Sequence, residues 1–247
     1  MRVRNVLTCL LACCAMLQAD PPIVLRVIRQ SEQANDRAVA ETKVASTVIA
    51  TTSITGPSEP WFFELLDSFA ALQDLDNALP TVRSGAPYAD DVLPGATSLI
   101  GLYRANLSHR AEEAVKGMPR ARYYLVSIYR TRPSTQSSFA DLVRIRRSRL
   151  ESINFDLPEL AYQIISGAPS GTYLFLTPLA ALGTLDDGLT KIPEGPRAGP
   201  SAESKLAAEV EIGHEYFLFR TDPKKSYVPD DFASADAEFW GVRTKNP

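Results

Sequence analysis

Apolar residues gather in short runs along this chain, and their spacing switches between a period of two and one of three to four. The period-two runs read as strands. In the first half they are Ile23 to Arg29, Thr47 to Thr55, Trp61 to Leu66 and Ser98 to Ala105; in the second, Arg122 to Arg132, Ala161 to Ser166, Thr172 to Leu176 and Glu215 to Thr221. Helical spacing fills the gaps. A weak helix is expected over Glu32 to Val44. Pro133-Ser134-Thr135 opens a stronger one, with Phe139, Leu142, Val143, Leu150 and Ile153 on its apolar stripe and Arg144, Arg146, Arg147 and Arg149 mostly on the wet side. Asp67 and Thr177 are expected to cap two further helices, the second with Pro178 at its first position. Their stripes are Phe69, Leu72, Leu75 and Leu79, and Leu179, Leu182, Leu185 and Leu189. A last helix is expected from Ser201 to about Gly213.

The order β-α-β-β-α-β thus occurs twice, which is the split β-α-β or ferredoxin-like unit. Local sequence repeats with it. Ile54-Thr55-Gly56-Pro57-Ser58 leads into Trp61 to Leu66 and then Asp67-Ser68-Phe69-Ala70-Ala71-Leu72; Ile165-Ser166-Gly167-Ala168-Pro169-Ser170 leads into Thr172 to Leu176 and then Thr177-Pro178-Leu179-Ala180-Ala181-Leu182. Leu102-Tyr103-Arg104 matches Leu218-Phe219-Arg220. Such internal repeats fix the architectural unit. Residues 20–116 form the first unit, 117–121 a linker around Gly117-Met118-Pro119, and 122–247 the second with a C-terminal tail. Gly/Pro-rich loops, 84–97 and 190–200, precede each last strand. One unit leaves a sheet face bare, and two packed sheet to sheet bury both. The expected fold is α+β, a pseudo-dimer of two ferredoxin-like units with helices outside and a ligand cavity between the sheets.

The repeat resembles the dimeric α/β-barrel superfamily in tandem form. Its turn-strand-helix motif (Gly56 to Leu72, Gly167 to Leu182) is similar to NIPSNAP-like and antibiotic-biosynthesis-monooxygenase-like domains, and most like a group of exported bacterial proteins with two such units. The resemblance covers nearly all of the chain after residue 19. It implies the fold and no catalytic residue, because the superfamily hosts haem proteins, cofactor-free oxygenases, isomerases and non-enzymatic binders.

The N-terminus reads as an export signal: Arg2 and Arg4, an apolar run from Val6 to Leu17, then Gln18-Ala19 before Asp20-Pro21-Pro22. Cleavage after Ala19 would release a periplasmic or extracellular protein. Leu10-Leu11-Ala12-Cys13 also approximates a lipobox, which would anchor the chain through an acylated Cys13. All three cysteines (Cys9, Cys13, Cys14) lie in this segment, so the remainder has no thiol chemistry and no disulfide. Losing Arg2 and Arg4 moves the net charge from −3 to −5, which argues against a nucleic-acid partner. No apolar run in the rest is long enough to span a membrane. A homo-oligomer stays open.

Six residues are candidate ligand contacts. Trp61 and Tyr173 belong to aromatic strands that are mostly core and partly cavity lining. Glu64 interrupts an apolar strand where Leu174 stands in the second copy; it is either an ion-paired edge residue or an acid or base aimed at a ligand. Tyr103 precedes Arg104, and Arg104 and Arg220 end equivalent strands, where they would anchor a carboxylate or pair structurally. His214 is the candidate axial ligand if a haem is bound, since chlorite dismutases and related peroxidases use a tandem unit of this kind. His109 reads as surface. No cluster of metal ligands, serine-hydrolase motif or nucleotide-binding loop is present. The leading expectation is an exported protein that binds a small apolar or aromatic ligand without a cofactor. The alternatives are a cofactor-free monooxygenase, a haem-dependent oxidoreductase, or a structural envelope protein without a ligand.

Overall fold

The computed structural model describes residues 20–30, 47–56, 58–72, 96–153, 155, 157–186 and 201–241. Eight strands close into one antiparallel barrel: β1 (Val24–Gln30), β2 (Thr47–Ser53), β3 (Pro60–Leu66), β4 (Ala96–Tyr103), β5 (Tyr123–Thr131), β6 (Leu160–Ser166), β7 (Thr172–Leu179) and β8 (Glu211–Thr221). Around the barrel they run β1-β3-β2-β8-β5-β7-β6-β4. Each half therefore has the same internal order, β4-β1-β3-β2 and β8-β5-β7-β6. The halves meet edge to edge. Thr51–Ser53 pair with Phe219–Thr221, and Ile100–Tyr103 pair with Tyr162–Ser166 across a bulge.

Closure changes what the inner faces do. Alternate residues of every strand point inward, and Trp61, Phe63, Tyr124, Tyr162 and Phe219 are fully buried there with Leu25, Ile49, Val126, Leu174 and Leu176. Among the described residues these side chains pack together in the space between the two sheets, where a ligand cavity was expected. Nor do the halves have separate cores. The segment expected as a linker, 117–121, holds the last residue of α1 (Ala111–Gly117) and a 3₁₀ turn (Met118–Arg120), and Met118, 1% exposed, packs into the shared core.

The other described helices are α2 (Gln136–Ser152), α3 (Ala202–Val210), α4 (Asp230–Ser234) and α5 (Ala237–Trp240). One expected cap is not a cap. Thr177 and Pro178 continue β7, paired with Leu125 and Tyr124, and every residue of β7 is buried. Pro178 is tolerated because β6 has already ended opposite Leu176, leaving β5 as its strand neighbour there. After Asp67 only a 3₁₀ turn, Phe69–Leu72, is described, with Phe69 exposed. The last helix stops at Val210 and β8 begins at Glu211, earlier than the apolar pattern suggests. The helix expected over 32–44, Leu75, Leu79, Leu189, most of both loops and residues 1–19 lie outside the described residues.

The equivalence between copies is also shifted by one residue. Gly56 and Gly167 both have left-handed backbones (φ 94° and 87°) at the turn after the second strand of each half. A spacing of 111 superposes them, whereas matching Asp67 to Thr177 needs 110. Side chains alternate, so one residue decides the face. The position facing outward like Glu64 is Phe175, not Leu174, since Arg26↔Glu64 and Ser127↔Phe175 are the corresponding cross-strand pairs. At the fourth strands the register does place Arg104 with Arg220.

Candidate functional site

The outer faces of the two halves differ. On the first, Arg26 and Glu64 lie side by side between apolar neighbours, Arg26 Nε 2.6 Å from a Glu64 oxygen, both largely buried. On the second, β5, β7 and β8 carry α2 and enclose a cavity of about 550 Å³.

Alternation on the strands and the helical repeat together build this cavity. Leu125, Ser127 and Tyr129 face out from β5, Phe175 and Thr177 from β7, and His214 and Tyr216 from β8. The first half of α2 seals down through Phe139, Leu142 and Val143, with Phe139 stacked on Tyr173 at 4.6 Å between ring centres. One turn later the same stripe carries Arg146 and Arg147, three and four residues after Val143, and then Leu150. Small side chains below (Ser127, Thr177) and long polar-tipped ones above leave the space unfilled. Arg146, Arg147 and Arg149, expected on the wet side, line it; Arg144 alone stays fully in solvent.

Two arginines are tied down. Arg146 forms a two-pronged pair with Glu211, its Nη2 2.9 Å from Oε2, and reaches Glu203 at 3.4 Å; Arg149 holds the other Glu203 oxygen at 3.0 Å. These links clasp α2 to α3 and β8. Burial works against the Arg146 charge, but the Glu211 carboxylate outweighs it and holds the guanidinium above its ordinary value. Arg147 donates to the Leu107 carbonyl at 2.8 Å and faces Glu159.

Glu159 is the unusual group. It is enclosed by protein, and what accessible surface it has faces the cavity. Its backbone pairs with His109 in an isolated β-bridge. Thr177 Oγ1 donates to Oε1 at 3.3 Å, and among the described residues Oε2 receives no hydrogen bond. Burial pushes its carboxyl up to about 7, against the opposing pull of Arg147 and Thr177. Tyr129 and Tyr216 share a hydroxyl–hydroxyl hydrogen bond of 3.0 Å on the same wall, and burial, then Tyr216, raises the Tyr129 phenol.

None of the six candidate contacts lines this cavity. Trp61 and Tyr103 point into the barrel, Trp61 packed on Phe219 at 4.8 Å and donating to Glu59 at 3.0 Å. Glu64 lies on the far outer face. Tyr173 is buried in the aromatic cluster beneath α2. Arg104 donates to the Gln163 side chain at 2.9 Å, and Arg220 is exposed at the end of β8. Arg104 lies near enough to Tyr173 to act on its phenol, but the six do not gather at one place. His214 does line the cavity, half-exposed, its Nδ1 3.7 Å from Glu211, and so does His109. Sequence reasoning missed Glu159 and the three cavity-lining arginines. An acid between Pro158 and the apolar Leu160-Ala161-Tyr162 was the available signal for the first. Among the described residues no group of three or more His, Cys, Asp or Glu is placed to hold a metal, and no helix is long and apolar enough to cross a membrane.

No protein-family model and no curated protein matches the chain. Among solved structures it is similar to an anthrone oxidase-like protein (9% identity, TM-score 0.46, 81% of this chain and 92% of that one). It is similar to a chlorite dismutase variant from Candidatus Nitrospira defluvii (11%, 0.47, 90% and 97%). A haem-binding protein from Thermus thermophilus also matches (12%, 0.45, 88% and 94%). These likenesses are remote, and the topology described above stands without them.

Proposed function

We propose that the protein is an exported binder of a small, largely apolar molecule, with the ligand held between α2 and the outer face of β5, β7 and β8. The single observation that carries this reading is the cavity itself. Its volume lies in the range of small-molecule sites, and its walls are mostly apolar with a few polar groups converging on them. Among the described residues the barrel interior is packed with apolar side chains. The identical strand order of the halves supports their origin as a duplicated ferredoxin-like unit. Residues 1–19 would direct export and be removed, or leave an acylated Cys13.

Leu150→Trp tests the site. The indole should fill the cavity and abolish binding of small aromatic probes in a thermal-shift assay while leaving the melting temperature of the free protein unchanged or higher. Retained binding in that variant would place the ligand elsewhere. Intact mass of protein from its own host tests export.

Haem is the second reading, favoured by His214 and His109 on the cavity walls. His214 has the chemistry of an axial ligand, and Arg147 could face a propionate. A bound haem would supply redox and oxygen chemistry at the iron. The donor set fits less well than it first looks, because Arg146 and Arg149 are already paired with Glu211 and Glu203. A Soret band in protein purified from its host, lost in His214→Ala, would establish haem.

A further inference from the structure

We propose that Glu159 makes this cavity selective for neutral ligands that carry a hydroxyl on an apolar body, and that the same carboxylate turns away carboxylic acids while it is ionised. The inference rests on the cavity being a ligand site.

The charges on and around the cavity decide it. Three arginines line it, and each faces a carboxylate: Arg146 faces Glu211, Arg149 faces Glu203, and Arg147 faces Glu159. With Glu159 ionised, no cation is left uncompensated for an incoming anion, and a ligand carboxylate would meet the Glu159 charge directly. A ligand cation would likewise find no uncompensated acid, since each of the three carboxylates is matched by an arginine. A neutral hydroxyl meets neither objection. Glu159 Oε2 is an acceptor without a hydrogen bond among the described residues, and Oε1 is held by Thr177. A half-buried acceptor on the cavity wall gains from a donor the ligand brings, and a hydrocarbon that displaced water from it would leave it unsatisfied. Phe175 of β7 and Leu150 of α2, both cavity-lining, supply surfaces for the apolar body.

Protonation reverses the selection. Once Glu159 takes a proton, Arg147 loses its compensating charge and a ligand carboxylate gains a partner. The groups that face Glu159 are Arg147 from α2, Thr177 from β7, Tyr129 from β5, and His109 through its backbone bridge. Burial keeps Tyr129 neutral over the accessible range. Because burial pushes Glu159 up to about 7, the reversal falls near neutral pH.

The test uses the full chain with naphthalene, 2-naphthol and 2-naphthoate, whose affinities are measured by fluorescence titration above and below pH 7. Above it, 2-naphthol should bind about tenfold tighter than naphthalene, the value of one charge-assisted hydrogen bond. 2-Naphthoate should bind weakly there and tighten about tenfold below it. Glu159→Leu should erase the preference of 2-naphthol over naphthalene, and Glu159→Gln should bind 2-naphthoate equally at both pH values. Circular dichroism checks that each variant is folded, and either variant alone is decisive. Equal binding of naphthalene and 2-naphthol by the wild type, or a naphthoate affinity indifferent to pH, overturns this proposal and leaves the cavity reading intact. Failure of all three probes to bind overturns the cavity reading itself.

Discussion

At the residue scale, two carboxylates, one buried and one half-buried, show how environment rather than residue type sets a role. Glu64 is conspicuous in the sequence as an acid in an apolar strand, and the structure gives it Arg26 as a partner across the β1–β3 ladder. Glu64→Gln should lower stability in urea denaturation by about 3–5 kcal/mol, because it leaves a guanidinium buried without its counter-charge. The double change Arg26→Met with Glu64→Leu should recover most of that loss. Glu159 has a cation nearby, yet burial dominates and keeps its proton on in the folded state up to about pH 7. The unfolded chain loses that proton in the ordinary carboxylate range. The folded protein therefore binds more protons across this window, and stability falls as pH rises through it. Glu159→Gln should flatten the dependence of melting temperature on pH, and should be more stable than wild type above pH 7 by about 1–3 kcal/mol. Glu64 could be found in the sequence because its neighbours are apolar on both sides. Glu159 carries only the weaker signal of an acid beside an apolar run, because its enclosure comes from packing against α2 and β7 rather than from its own strand.

At the scale of elements, alternation was a better guide than capping chemistry. The expected strands all exist, because a two-residue period on a barrel wall corresponds directly to inside and outside. Thr177-Pro178 is a sound helix start by local preference, yet pairing with β5 holds it in a strand. Tertiary packing overrode the local signal. The arginines of α2 depart from expectation for a related reason. A guanidinium on a long stem can sit on a helix face turned toward the protein if acids wait there, and Glu203 and Glu211 do. Arg146→Met should cost about 3 kcal/mol, since Glu211 would remain buried without its partner. Arg144→Ala, on the solvent side, should stay within about 0.5 kcal/mol of wild type. Urea titration of the two variants side by side separates a clasp from a solvated charge run.

At the scale of the whole molecule, closure determines both where the core lies and where a ligand can go. The duplicated strand order was legible in the sequence. The edge-to-edge union was not, because apolar alternation says which face of a strand is buried without saying whether two sheets face each other or join. Joining them turns the expected binding cleft into the core and leaves the outer face of the second half as the open site. It also removes the independence of the halves. Residues 20–116 alone would expose the edges of β2 and β4, and residues 117–247 those of β6 and β8, along with half of a core containing Trp61, Phe63, Tyr124 and Tyr162. Unpaired edges of this kind invite association. Each half expressed alone should therefore aggregate or pair with a copy of itself, whereas the two co-expressed should purify together and show one cooperative unfolding transition, as the intact chain should. Monomeric, separately folded halves in size-exclusion chromatography would contradict the shared core. The barrel would then be two domains in contact, and the filled interior could no longer be used to place the ligand outside it.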